Sequence, residues 1–175
     1  MNCGTYTLSG ISAACKDSLG GIRKVWLGEY VDDAFTIDAS TYTAKPKTDV
    51  ISDLKVYHFR KNTGSLTETM NVNDNAGNSW TNELSLQFLK QETVKRIEIM
   101  GICMNETLAI VRDANGKYWA LGVDGPGEAL NETSETGVNQ TDFNGYNLTI
   151  SFDSKEMHYE ITDASTIEAL EALDA

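Results

Sequence analysis

Two prolines, three cysteines and two histidines are all that 175 residues hold of those types, and each shortage removes a class of protein. Cys3, Cys15 and Cys103 form an odd, sparse set that cannot frame a disulfide-stapled domain. No pair of them has the two-residue spacing of a zinc knuckle, and His58 and His158 stand too far apart to complete one. Their expected role is that of small buried hydrophobes or loop thiols. Pro46 and Pro126 sit in loop-like surroundings, and no Pro/Ser-rich linker divides the chain. Residues 1–175 therefore read as one domain: an arm over 1–19, a β-sandwich core over 20–162 and a C-terminal helix over 163–175. Long apolar runs are missing too, with nothing near the roughly 20 residues that span a bilayer. The start, MNCGTYTLSGISAAC, has neither a basic nor an apolar signal region, so a chain made in a cytoplasm and independent of membranes is expected.

Motifs for chemistry are equally scarce. There is no Walker glycine loop, no dinucleotide fingerprint and no nucleophile elbow at any serine, and GVDGPGE carries no basic residue beside its glycines. His58 falls in a strand pattern, where a packed or rim position is expected, and His158 falls in an acidic segment; neither is placed to serve as a base in a triad. Asn71, Asn73 and Asn75 have the spacing of the first ligands of a calcium loop, but Ala76 and Asn82 stand where glycine and the closing glutamate are required. No enzyme, no cofactor and no metal is the expectation. The loop NDNAGNS reads instead as a polar hairpin tip suited to contacts.

Period-two apolar alternation dominates what is present. Ile22–Tyr30 reads as a strand with Val25 and Leu27 on one face and Trp26 on the other. Asp32–Asp49 reads as a long excursion with a weak strand around Phe35–Ile37. Leu54–Arg60, Leu66–Val72 and Trp80–Phe88 follow as strands. Leu108–Val123 places two apolar runs around Asn115-Gly116, the dipeptide suited to a type I′ hairpin turn, and Asn144-Gly145 precedes the alternation Tyr146, Leu148, Ile150, Phe152. The expected fold class is mainly β, an antiparallel sandwich or barrel with one wet face. One internal helix is expected over Gln91–Met104, capped by Thr93, its stripe Val94, Ile97 and Met100 or Gly101 turned to the core. A short helix over 165–173, capped by Asp163 or Ser165, repeats Ile167, Leu170 and Leu173. It is marginal in isolation, so its stripe needs its own sandwich or a neighbouring subunit as a surface.

In order, SLGGIRKVWLGEY, WTNELSLQFL with a following helix, AIVRDANGKYWALG, a glycine-containing loop and GYNLTISFDSKEMHYEI resemble small structural proteins of tailed bacteriophages and prophages of Bacteroidetes, of the tail tube or tail-ring type. The resemblance spans about Cys15 to Ile161. It implies a virion protein of the tail, synthesised in the host cytoplasm. Such subunits form a homo-oligomeric ring, hexameric in that family, that meets other tail or connector proteins and surrounds a conduit through which DNA passes without tight binding. Alternative readings are a head–tail adaptor or decoration protein, or a surface β-sandwich that binds glycan or host protein.

Charge of one sign is missing from the last third. Residues 1–123 carry 14 acids and 13 bases, whereas 124–175 carry 12 acids and Lys155 alone. Affinity for nucleic acid comes from Lys and Arg, so tight phosphate binding is disfavoured. These acids read either as a solvated edge or, with the resemblance, as a conduit wall; Asp124, Glu128, Glu132 and Glu135 are the candidate lumen acids. Asn73, Asp74 and Asn75 in the polar loop, with Ile167, Leu170 and Leu173 of the last helix, are the candidate assembly contacts, along with the N-terminal arm. Removal of 164–175 is expected to weaken assembly and spare the fold.

Overall fold

The computed structural model describes residues 10–13, 16–73 and 77–174. Eleven strands form one hydrogen-bonded sheet that is not closed and doubles over into two layers, giving a sandwich. The first layer runs β4 (Lys55–His58), β1 (Ile22–Glu29), β7 (Thr107–Asp113), β8 (Tyr118–Leu121), β11 (Tyr159–Glu160), β3 (Thr43–Pro46) and β2 (Phe35–Asp38). The second runs β5 (Gly64–Asn71), β6 (Ser79–Leu89), β10 (Gly145–Ser154) and β9 (Gly127–Glu135). All pairs are antiparallel except β11 with β3. The layers are joined where Thr107 pairs with Gly127, a joint reinforced by the Thr107 hydroxyl donating to the Gly127 carbonyl at 3.2 Å.

Alternation in the sequence sets which side chains fill the sandwich. Val25 and Leu27 from β1, Val111 from β7, Leu84 and Leu86 from β6, and Leu148, Ile150 and Phe152 from β10 pack together between the layers. Trp26 points the other way, as its position between Val25 and Leu27 requires. It joins Leu108, Ile110, Tyr118 and Ala120 in a second core on the far face of the first layer. Phe35 and Ala44 of β2 and β3 belong to the same core, and a short helix α1 (Thr48–Asp53) and the C-terminal helix α3 (Ala164–Ala172) cover it with Val50 and Leu170. The centre of the first layer therefore has no wet face, and the run Thr107–Val111 is buried throughout. Only the second layer fits the expected half-wet pattern.

Several local expectations change. The excursion over 32–49 holds the weak strand as β2, paired with β3, while α1 was not foreseen; Pro46 ends β3 instead of lying in a loop. At Asn115-Gly116 the hairpin is present, but Gly116 has φ +82° and Asn115 is not among the positive-φ residues. The loop is thus a three-residue turn with glycine in the left-handed position, not type I′. Asp113 holds it by accepting from the N–H groups of Asn115 and Lys117, both at 2.8 Å. Asn144-Gly145 is not a hairpin tip at all. It stands at the base of a longer arm, residues 136–144, between β9 and β10. A Cβ on Gly145 would fall 2.1 Å from the Phe88 carbonyl oxygen, so the close strand crossing there requires glycine.

The internal helix α2 (Thr93–Met104) exists but faces opposite to expectation. Ile99 and Ile102 are its buried positions, whereas Val94 is 80%, Ile97 62% and Met100 57% exposed. Both sets recur every three residues, and the sandwich contacts only the Ile99–Ile102 side. Glu92 occupies the cap position in place of Thr93.

Helix α3 is capped as its sequence indicates. The Asp163 carboxylate accepts from the Thr166 N–H at 2.9 Å and from the hydroxyls of Thr166 and Ser165 at 2.8 and 2.6 Å. These bonds, with Lys45 at 3.1 Å, hold its carboxyl well below the usual range. At the other end, Lys24 lies 2.5 Å from Glu171 and 2.6 Å from Asp174. Asp174 is lowered chiefly by Lys24 and then by His58. Burial works against Glu171, but hydrogen bonds from Lys24 and Tyr118 outweigh it and hold that carboxyl low as well. A carboxylate whose pKa is depressed on folding contributes stability above its unfolded value and loses it as pH falls through the folded one. Thermal melts should accordingly be flat through neutral and mildly acidic pH and fall below about pH 4, the ordinary carboxylate range. A Lys24→Met, Lys45→Met double variant should flatten that fall.

Candidate functional surfaces

Between their ends, β5, β6 and β10 turn only polar side chains to the outer face of the second layer, whose apolar exceptions are Leu89 at the end of β6 and the exposed bulge residue Leu130 in β9. Alternation along β6 and β10 turns Leu84, Leu86, Leu148, Ile150 and Phe152 inward, which puts Thr81, Glu83, Ser85 and Gln87 outward opposite Asp153, Ser151, Thr149 and Asn147. β5 adds Ser65, Thr67, Thr69 and Asn71 on the same side. The side chains bond across the strands. Asn71 donates to the Thr81 hydroxyl at 2.8 Å, and that hydroxyl to Asp153 at 2.7 Å. Gln87 donates to Asn147 at 3.1 Å, and Asn147 to Thr133 at 3.4 Å. No lysine or arginine occupies an outward position on these four strands. The result is a broad hydroxyl- and amide-covered surface whose only charges are carboxylates.

Among the described residues both long edges of this layer are open. β5 pairs only with β6, and β9 pairs with β10 and touches β7 only at Gly127. Unpaired strand edges are ready-made docking lines for another chain.

The four candidate lumen acids separate in the structure. A bulge in β9, between the pairs Thr149–Asn131 and Ile150–Ala129, shifts the alternation so that Glu128 and Glu135 lie on the outward face and Glu132 opposite the inward-facing Leu148. Glu132 lies close enough to α2 that, after burial, its charge is what pushes the Cys103 thiol up. Asp124 is in the turn before β9, where it accepts from the Lys155 N–H at 2.9 Å. Glu83 and Asp153, which were not among the candidates, share the outward face with Glu128 and Glu135. They could have been found by extending the alternation of β6 and β10 to their polar positions.

Much of the remaining acidic run is tied down by bases from earlier in the chain: Asp163 by Lys45, Glu160 by Lys117, Glu171 by Lys24 and Arg112, Asp174 by Lys24 and His58. Those acids are structural. The candidate assembly contacts on α3 are likewise engaged at home. Leu170 is fully buried, Ile167 and Leu173 pack against the second core, and the Trp26 indole N–H donates to the Leu170 carbonyl at 3.0 Å. The helix uses its own sandwich as its surface, which withdraws Leu170 from the assembly list. Of the polar-loop contacts, Asn73 is exposed, while Asp74 and Asn75 lie outside the described residues, as do Cys3, Cys15 and most of the N-terminal arm.

His58 is a half-exposed rim residue whose Nε2 lies 2.6 Å from Asp174. His158 is partly buried beside Trp119. Its ring stacks edge-on to Trp119 with centroids 4.7 Å apart, and its Nδ1 lies 2.9 Å from Glu68 and 3.1 Å from the Asn82 side-chain oxygen. Glu68 also accepts the His158 backbone N–H at 2.7 Å. No hydroxyl or thiol among these contacts stands where the imidazole could activate it, so the cluster fixes the β10–β11 connection onto β5. Among the described residues no group of three or more His, Cys, Asp or Glu could hold a metal, and no helix is long and apolar enough to cross a membrane. Comparison with protein-family models, with curated proteins and with solved structures finds no match to this chain.

Proposed function

We propose that this protein is a structural subunit of a phage tail, a tail tube or tail-ring protein, that assembles into rings around a conduit for DNA. The observation that carries this reading is the outward face of the second layer: wide, free of apolar side chains at its centre, free of bases and bordered by two open edges. A wall that DNA must slide past gains from having no cation, because each Lys or Arg adds a salt-dependent phosphate contact. Its carboxylates repel phosphates over the screening length of about 8–10 Å at physiological salt. The two edges are different strands, β5 and β9, as a head-to-tail contact that closes a ring requires.

In this reading the acids that face the axis are Glu83, Glu128 and Asp153 rather than Asp124 and Glu132, and Glu135 stands at the rim of that face, where β9 passes into the arm. Electron microscopy of particles assembled from the chain should show rings with β5, β6, β10 and β9 facing the axis. A ring whose axis is lined by the β2–β3 hairpin or by α3 would overturn the assignment. Glu83→Lys with Glu128→Lys should assemble normally and slow genome ejection, with the delay reduced at high salt.

A further inference from the structure

Where Leu89 pairs with Gly145, at one end of the second layer, a concavity of about 410 Å³ opens between the β4–β5 connection and the end of β6. Its lining is basic: His58, Arg60, Lys90 and Lys95 surround Phe88 and Leu89, and no carboxylate belongs to the wall. Glu92 just outside pairs with both lysines, and Asp174 with His58. Arg60 has no ionic partner among the described residues. The two lysines thus share one carboxylate, Glu92, and Arg60 is left with none.

The arm over 136–144 projects from the same end of the same layer but at the opposite edge. Register fixes this: Glu135 pairs with Gly145, and Gly145 with Leu89, so arm and concavity lie at one level. The arm belongs to the stretch Tyr118–Ser154, which contains six acids and no lysine or arginine. It is ordered by Asp142, whose carboxylate accepts from the N–H groups of Val138 and Asn139 at 2.9 and 2.7 Å. Those backbone bonds also hold the Asp142 carboxyl low, so it stays ionised. Although the base of the arm touches its own Lys90, through the Asn144 carbonyl at 2.7 Å, the tip does not fold back: Val138 is 96% exposed.

We propose that the arm of one copy seats in the basic concavity of the next, with Val138 against Phe88 and Leu89 and with Glu135 and Asp142 facing Arg60 and Lys90. The contact rests on the ring reading above and names the surfaces that would close it. Two unlike patches at one level and at opposite edges satisfy the geometry of a cyclic head-to-tail contact. A pre-ordered arm also loses little conformational entropy on docking. Opposite charges on the two patches fix register and suppress wrong pairings.

Sedimentation of the purified full-length chain over a concentration series tests this. The wild type should self-associate, more weakly at about 1 M than at 0.1 M salt, because the screening length shrinks from roughly 10 to 3 Å. A pocket variant, Arg60→Glu, and an arm variant, Glu135→Lys with Val138→Lys, should each associate about tenfold or more weakly, the scale expected when like charges replace a complementary pair. Both should keep the wild-type melting temperature. Mixed in equal amounts they should recover association, because each then meets a patch of opposite sign. A wild-type chain that is monomeric throughout would overturn both the ring reading and this contact. If the wild type assembles and the variants assemble equally well, or if the mixture is no stronger than either variant, this contact is wrong and the ring reading stands.

Discussion

Deleting residues 164–175 is expected to abolish the cooperative thermal transition, leaving a chain that binds a hydrophobic dye at 25 °C. The C-terminal helix covers the second core, and its Leu170 is among the most enclosed side chains of the molecule. Truncating a buried leucine to alanine alone costs about 2–5 kcal/mol. Removing the helix also uncovers Trp26 and takes the acceptors from the Trp26 indole N–H and the Tyr118 hydroxyl, which donates to Glu171 at 2.7 Å. Each buried donor left unmade adds about 1–3 kcal/mol. Together these losses approach the roughly 5–15 kcal/mol that holds a typical domain folded. The milder Leu170→Ala should remain folded and melt roughly 5–15 °C lower, at about 2–4 °C per kcal/mol for a chain of this size. A truncated chain that melts like the full one would show that α3 is dispensable after all, and would restore it to the assembly list.

Gly127→Ala should lower the melting temperature by roughly 3–10 °C, with a wider spread of conformations at the joint between the layers. A Cβ at this position would fall 2.1 Å from Cε1 of Phe152 and 2.6 Å from two further ring carbons. Phe152 is enclosed between the layers, so its ring can shift only against the side chains packed on it. Overfilling a packed core typically costs about 1–3 kcal/mol. Here the strain falls on the one pair, Thr107 with Gly127, that makes the two layers a single sheet. The double variant Gly127→Ala, Phe152→Leu should regain part of the loss, because the smaller side chain vacates the clashing volume. Strict additivity of the two changes in a double-mutant cycle would mean that the ring is not what the alanine meets.

Strands with one apolar and one polar side were readable from sequence. Leu54 and Val56 lie on the face of the second core, and Tyr57 and Phe59 on that of the first, as alternation requires. The helices were readable as helices, but α2 could not be oriented. Val94–Ile97–Met100 and Ile99–Ile102 satisfy the same spacing, and only the position of the sandwich chooses between them. The two Asn-Gly pairs show the same limit in turns. One caps a tight hairpin, while the other sits where two strands cross too closely for any Cβ. That the four candidate acids do not share one face was not readable, because the bulge in β9 reverses the alternation between Glu128 and Glu132 and no local residue pattern announces it. The ion pairs of α3 were beyond sequence reasoning for a simpler reason: their partners are separated by as many as 150 residues.

Glu68 is the one charged residue on β5, and it points inward, tied to the backbone and ring of His158 from the far side of the sandwich. Sliding β5 by one position would bring Thr67 or Thr69 to His158 and turn Leu66 to water, so the strand has one setting. Whatever chain lines up along its free edge meets a template cut in advance. The cost of choosing a register is thus borne during folding, and in the ring proposed above the joining of subunits would be a meeting of finished parts. An incoming strand would find each hydrogen-bonding group already at its station.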